Sequence, residues 1–234
     1  YENFYFSPSF LTSYESLETT DKATANLKKQ KGDYFDTYFN YSINYDLRNQ
    51  RYQASEGTQT IFRQELPIVA ENSEIINSFE ITKYTPLVSD MVGKISFFSK
   101  TANSITGDDV RISKRLYVPY SKLRGFEKGK VGPKDNNSYI GGNYVSTLNF
   151  STTLPQILPS FQNTDFSFFI DMGNVWGVDY DSSINDGSEL RASSGIAVDL
   201  LTPIGPMNFS LSETLNKASS DKTESFRFNI GTSF

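Results

Sequence analysis

The last nine residues of the chain alternate apolar and polar side chains without a break. The apolar positions are Phe226, Phe228, Ile230, Thr232 and Phe234. Successive side chains of a β-strand point to opposite faces, so these five positions share one face. We therefore predict a strand over residues 224–234, with one face suited to an apolar environment and the other suited to water.

The same alternation recurs along most of the chain, and turn residues separate the segments. We find no long run at helical spacing, although residues 23–29 have the composition for a short helical turn. These features predict an all-β fold of about ten antiparallel strands. The predicted strands lie near residues 2–13, 39–47, 58–66, 75–86, 91–100, 143–154, 165–176, 189–201, 207–215 and 224–234.

The predicted connections alternate in character along the chain. Residues 155–162 and 202–206 are short and contain proline, whereas residues 177–188 and 216–223 are polar and looser. Short turns at one end and longer loops at the other are typical of outer-membrane β-barrels. The segment 101–142 is much longer than the other connections, and loops of that length usually carry function.

Composition excludes membrane-spanning helices but leaves barrel strands open. Only 37% of residues are hydrophobic, and the mean hydropathy is -0.43. A spanning helix needs about 18 or more consecutive apolar residues, whereas a barrel strand needs only about 9–11 residues with one apolar face. The 19 Phe and 14 Tyr suit aromatic girdles at bilayer interfaces. A large soluble β-sandwich or lectin would also use them.

Several chemistries are excluded by residues that the chain lacks. It contains no histidine and no cysteine, which removes Ser-His-Asp hydrolysis, thiolate chemistry and histidine metal sites. The net charge of -5, with both signs interspersed, does not indicate a nucleic-acid partner. We expect a protein that is not an enzyme and needs no cofactor or metal. Because the chain starts at Tyr1 without a signal peptide, we expect a fragment or a processed chain.

Four sequence motifs together point to a family. They are Leu123-Arg124-Gly125-Phe126 with Gly141-Gly142 behind it, Phe169-Ile170-Asp171-Met172-Gly173-Asn174-Val175-Trp176, Pro203-Ile204-Gly205-Pro206-Met207-Asn208-Phe209-Ser210, and the terminal Phe228-Asn229-Ile230-Gly231-Thr232-Ser233-Phe234. With these motifs the chain resembles the C-terminal barrel of the BamA family of outer-membrane assembly factors, and the TamA family is the second choice. The resemblance begins near residue 38, and residues 1–31 match only loosely.

The resemblance implies a transmembrane antiparallel barrel of sixteen strands, of which residues 1–234 form one region with the last ten. It implies that the loop 101–142 folds into the lumen and that Arg124 contacts Asp171 on the barrel wall. Asn149 stands where the family usually has a glutamate. We expect Asn149 to accept a hydrogen bond through its side-chain oxygen. Val118-Pro119-Tyr120-Ser121 replaces the glycines that commonly precede the loop motif.

The residues themselves agree with this placement of Asp171. By alternation it shares the polar face of its strand with Ser167 and Gly173. A carboxylate on that face suits a bidentate arginine. Gly125 allows a sharp turn beside Arg124, and Phe126 is expected to pack the loop tip.

The resemblance also implies a function: folding and insertion of β-barrel proteins into the bacterial outer membrane. The implied partners are unfolded outer-membrane proteins as clients, accessory lipoproteins and outer-membrane lipid, without nucleic acid. The last strand would form one side of a barrel seam, with Phe226, Phe228, Ile230, Gly231 and Phe234 as its seam and C-terminal signal. The alternatives are a TamA-like autotransporter assembly factor and an autonomous passive barrel or channel.

Overall fold

The computed structural model describes residues 2–51, 53–88, 90–154, 164–180, 184–202 and 205–230. Gly231 and Phe234, which the sequence assigns to the seam, lie outside these residues. The strands are β1 Phe4–Leu17, β2 Gly32–Asp46, β3 Gly57–Val69, β4 Glu74–Pro86, β5 Val92–Ser104, β6 Lys134–Asp135, β7 Ser138–Tyr139, β8 Tyr144–Thr153, β9 Thr164–Trp176, β10 Arg191–Thr202, β11 Gly205–Asn216 and β12 Phe226–Ile230. The helix α1 spans Ala25–Lys29, and single 3₁₀ turns span Ile112–Lys114 and Tyr120–Lys122.

Ten of the strands form one antiparallel sheet in the order β1-β2-β3-β4-β5-β8-β9-β10-β11-β12, and β6 pairs with β7 separately. The prediction of an all-β antiparallel fold with about ten strands is therefore confirmed. Within the described residues the sheet is open, with β1 at one edge and β12 at the other. The short helical turn is also confirmed, because Thr24 caps α1 by accepting a hydrogen bond from the backbone N–H of Leu27.

The predicted start of the long loop was wrong by a few residues. Thr101 pairs with Asn77 and Ser104 pairs with Glu74, so β5 continues to Ser104 because β4 offers it backbone partners over this length. The connection between β5 and β8 therefore covers residues 105–143.

Strand register separates an apolar outer face from a polar inner face. On β10, for example, the outward Ile196 is 50% exposed whereas the inward Ser193 is fully buried. The outward Phe168 pairs with Ile196, and the inward Asp171 pairs with Ser193. We call the space on the inner side of the sheet the lumen.

The hydrophobic core lies between the inner face and the long loop. Its strand residues are Ile76, Phe98, Ala102, Val145 and Val175, and its loop residues are Val110, Leu116, Leu123, Phe126 and Val131. The loop thus folds back over the sheet from the end where it leaves β5, and apolar burial holds it there. Among the described residues, no helix is long and apolar enough to cross a membrane.

We predict that charge is tolerated on the inner face of this sheet but not on the outer face. Replacing the outward Ile196 by lysine should lower the free energy of unfolding in lipid by about 2–4 kcal/mol, because a cation at bilayer depth loses its hydration. Gln59→Lys, on the inner face of β3, is the matched control and should change it by less than about 1 kcal/mol. Denaturant titration in vesicles measures both, and equal effects would contradict the assignment of the faces.

Candidate functional site: the lumenal loop and its wall partners

The loop motif Leu123–Phe126 lies against the inner faces of β8 to β12. Gly125 has φ of 88°, a left-handed conformation that disfavours other residues. A Cβ at Gly125 would also lie 3.0 Å from the Cβ of Ser193 on β10. The absence of a side chain therefore permits both the sharp turn and the close approach of the loop to the wall.

Arg124 forms a bidentate ion pair with Asp171. Its Nε lies 2.7 Å from Oδ2 and its terminal nitrogen lies 2.8 Å from Oδ1, while the backbone N–H of Arg124 also donates to Oδ2 at 3.0 Å. Asp171 is fully buried, and the guanidinium carbon lies 3.4 Å from the ring centre of Phe169. The arrangement combines charge, a planar fork and an aromatic platform, which lysine cannot reproduce.

Asn149 joins the wall to the loop and to Asp171 through its side-chain nitrogen. Its side-chain nitrogen donates to Asp171 Oδ1 at 2.9 Å and to the carbonyl of Lys122 at 2.7 Å. Its oxygen accepts from the hydroxyl of Thr147 rather than from Arg124. The side-chain oxygen of Asn149 thus accepts a hydrogen bond, as the sequence predicts, and its nitrogen completes the hydrogen bonds of the Asp171 carboxylate.

The carbonyl groups of residues 122–126 are held one after another by the sheet. Each of these five consecutive carbonyls accepts at least one hydrogen bond from a wall strand or from the segment that precedes β12. The donors, in order of the carbonyls, are Asn149, Arg227, Ser193, Thr214 with the backbone N–H of Glu224, and Arg227 again. The backbone of the loop motif is therefore recognised by the wall as fully as the Arg124 side chain is.

The remaining predicted loop residues occupy tight positions. Leu123 and Phe126 are buried in the core. Gly142 forms an isolated β-bridge with Leu116, and a Cβ on Gly142 would lie 2.4 Å from the carbonyl oxygen of Trp176. Gly141 has φ of 69°. The two glycines thus let the end of the loop pass close to β9 where β8 begins.

The structure contains a second charged anchor that sequence reasoning missed. Arg111, near the start of the loop, is fully buried and forms an ion pair with Asp36 on β2. Its backbone N–H donates to Glu74 of β4 at 3.3 Å, and its guanidinium lies 4.3 Å from the ring centre of Tyr34. Tyr38 donates to the other oxygen of Glu74 at 2.9 Å. Arg111 and Arg124 therefore tie the loop to opposite parts of the sheet.

A third contact fixes the loop that precedes β12. Arg191 and Asp221 form a buried pair with an Nε–Oδ2 distance of 2.8 Å. Asp221 also accepts from the backbone N–H groups of Ala218 at 2.8 Å and Gly132 at 3.4 Å. This carboxylate thus joins β10, the long loop and the loop between β11 and β12.

Two tyrosines of the long loop remain uncharged at neutral pH. Burial raises the pKa of the Tyr117 and Tyr120 phenols above their ordinary value. The two rings therefore contribute packing and hydrogen bonding to the loop, and the charged groups near Tyr120 are Arg227 and Glu224.

The described seam residues project to the outer face of β12. Phe226, Phe228 and Ile230 are all exposed there, and Phe228 stacks on Phe209 of β11 with the ring centres 4.7 Å apart. The polar partner face of β12 carries Arg227, which is buried against the loop.

An apolar outer face, a polar inner face and a loop pinned inside define the wall of an outer-membrane type of β-barrel. The Omp85 superfamily domain matches residues 2–234, and the chain belongs to that superfamily. The predicted fold and family are thereby confirmed.

Two relatives carry the name outer membrane protein assembly factor BamA. The protein of Neisseria meningitidis serogroup B (strain ATCC BAA-335 / MC58) is 33% identical over 141 residues, covering 48% of this chain and 17% of the relative. The protein of Neorickettsia risticii (strain Illinois) is 25% identical over 152 residues, covering 63% of this chain and 20% of the relative. The match spans about a fifth of the length of either relative.

A solved structure supports the same fold. The crystal structure of BamA from Haemophilus ducreyi lacking POTRA domains 1-3 superimposes with a TM-score of 0.85 at 22% identity. The match covers 97% of this chain and 51% of that chain.

We predict that Arg124 and Asp171 are energetically coupled. Alanine at each position and at both should reveal a coupling free energy of about 0.5–3 kcal/mol in unfolding experiments, because each single change leaves the partner charge unpaired. The pair Lys122 and Glu80 is the matched control. It also joins the loop to the wall, but it is more exposed, so its coupling should stay below about 1 kcal/mol. Additive losses at Arg124 and Asp171 would contradict the prediction.

We further predict that Arg111→Met destabilises the folded protein by about 3–5 kcal/mol, because it leaves the buried Asp36 carboxylate without its cation. Arg51→Met removes an exposed arginine from the connection between β2 and β3 and should cost less than about 0.5 kcal/mol. Thermal unfolding of the two variants compares them. Similar melting temperatures would show that Arg111 is not an anchor.

Proposed function

We propose that this chain provides the barrel wall and lumenal loop of a factor that folds β-barrel proteins and inserts them into the bacterial outer membrane. Its Omp85 membership and its similarity to two proteins named as outer-membrane assembly factors support this function. The fold indicates that the chain resides in the outer membrane. The clients are unfolded outer-membrane proteins, and the accessory subunits are lipoproteins of the same assembly machinery.

The observation that carries the proposal is a firmly held loop next to an edge strand of the described sheet. The loop is anchored to β2 and β4 through Arg111 and to β9 through Arg124. Within the described part of the chain, β12 lies at the edge of the sheet and pairs with β11 through Phe226–Ile230. An edge strand presents unpaired backbone groups that can template another strand, and this gives an incoming client a place to pair.

The filled interior favours this function over a passive channel. Ten apolar residues from the wall and the loop pack together inside the sheet, and the loop motif lies across the inner faces of β8 to β12. Such packing occupies space that a water-filled pore would leave open.

We predict that Arg124→Ala and Asp171→Ala each reduce client assembly by the full-length protein. The double variant should be no worse than the poorer single variant, because both changes break the same contact. The assay is the rate at which the reconstituted protein makes a client β-barrel resistant to protease in liposomes. Normal rates for both single variants, with folding intact, would contradict a role for the pair.

A chimera tests the proposed function itself. Residues 2–234 would replace the matching barrel segment of a BamA whose depletion is lethal, and growth and outer-membrane protein levels would be followed. Rescue supports the assembly function. A chimera that is folded and resident in the outer membrane but leaves client levels at the depleted value argues against it.

A further inference from the structure

Arg227 on β12 makes more contacts with the long loop than with its own strand. Its side chain lies on the inner face and is buried. One terminal nitrogen donates to the carbonyl of Leu123 at 3.3 Å and to that of Phe126 at 2.8 Å, and the other donates to the carbonyl of Tyr120. A single guanidinium therefore donates hydrogen bonds to three carbonyl groups within a seven-residue stretch of the loop.

The rest of the guanidinium group is also fixed. Its Nε donates to Glu224 at 2.6 Å, and its carbon lies 3.5 Å from the ring centre of Tyr120. The ion pair with Glu224 partly compensates the buried charge, and the ring packs against the planar face. All three nitrogens thus have partners, and the geometry requires a planar fork.

A backbone bridge joins the same two segments. Phe126 forms an isolated antiparallel bridge with Thr223, which lies two residues after Asp221. The N–H of Glu127 donates to the carbonyl of Lys222 at 3.0 Å, and the N–H of Glu224 donates to the carbonyl of Gly125 at 3.1 Å. The chain therefore enters β12 directly from a contact with the loop motif.

These contacts attach the loop motif to two different parts of the sheet. Arg124 binds β9, which lies inside the sheet between β8 and β10, so this pair joins the loop to the fixed wall. Arg227 binds the same motif from β12, at the edge of the sheet. The loop is thus the shared partner of the rigid wall and the edge strand.

We propose that Arg227 is a positioning residue that couples the lumenal loop to β12. It holds the start of the edge strand against the docked loop, while the pairing edge of that strand stays available to a client. This inference rests on the proposed assembly function for its consequence, but the coupling itself is a property of the fold and is measured independently.

Hydrogen exchange tests the coupling in the full-length protein. The reporters are the backbone amides of Glu127 and Glu224, which donate across the bridge. Exchange of such amides follows the equilibrium for local opening. Arg227→Gln should speed exchange in peptides covering residues 125–130 and 222–226 by at least about tenfold, since it removes hydrogen bonds from a charged donor. Peptides within β9 should be unchanged.

Two further variants keep this test interpretable. Arg63→Gln removes an exposed arginine from the inner face of β3 and is the matched control, with no expected change in the bridge peptides. Arg227→Lys keeps the charge but loses the fork, so its exchange should lie between wild type and Arg227→Gln. If the glutamine variant does not fold, hydrogen exchange in Arg227→Lys still tests the coupling. Wild-type exchange in both Arg227 variants, or equal acceleration by Arg63→Gln, would overturn the proposal.

A disulfide between the two segments tests whether Arg227 acts by holding them together or only by stabilising the protein. The chain has no cysteine, so Glu127→Cys with Lys222→Cys introduces one defined pair here. Residues adjacent across an antiparallel bridge have Cα atoms about 4.5–5.5 Å apart, within the range for a disulfide. In the Arg227→Gln background, the oxidised pair should restore client assembly in liposomes, and reduction should abolish the gain.

The outcomes distinguish this inference from the proposed function. If the wild-type protein assembles no client while Arg227→Gln still loosens the bridge, the assembly function fails and the coupling stands. If assembly by Arg227→Gln equals that of wild type despite a loosened bridge, or if the disulfide restores nothing, Arg227 does not act by positioning β12.

Discussion

The lumenal loop depends on one constraint: its backbone carbonyl groups must find donors away from bulk water. Buried backbone polar groups that lack a partner are costly, and a loop supplies few partners to itself. Here the wall supplies them to residues 122–126, one carbonyl after another, from β8, β10, β11 and β12. Because the donors come from four strands, the docked loop also fixes the relative positions of these strands. The arrangement of these strands and the docking of the loop therefore depend on each other.

Charge pairing decides where along the wall the loop settles. Hydrophobic burial is non-directional, so the apolar core alone would allow the loop to slide over the inner face. Asp171 and Asp36 remove this freedom, because each buried carboxylate requires a cation at a defined place. The fork of Arg124 adds orientation to position. Two such anchors on distant strands fix both ends of the loop segment between Arg111 and Arg124, whereas one anchor would fix a single position.

The sequence predicted the parts of this structure that depend on local pattern. Strand alternation located ten strands and placed Asp171 on the inner face, since side-chain direction follows from position along a strand. Family resemblance pointed to Arg124. Neither source indicated Arg111 or Arg227, because their partners come from strands far away in sequence and nothing nearby distinguishes them from solvated arginines. Likewise, the sequence placed Asn149 on the wall but did not indicate that its nitrogen donates to Asp171 and Lys122, since these partners are known only once the loop is docked.

The contacts of β12 show how an edge strand of the described sheet can be held in place through its inner face. Interior strands such as β9 pair with a neighbour on both sides, whereas β12 lies at an edge of the described sheet and pairs there with β11. Its inner face compensates through Arg227, which binds loop carbonyls rather than a neighbouring strand. Side-chain contacts to the loop leave the backbone groups along the free edge untouched. The strand can therefore be held in place without using the hydrogen-bonding groups that an incoming strand would need.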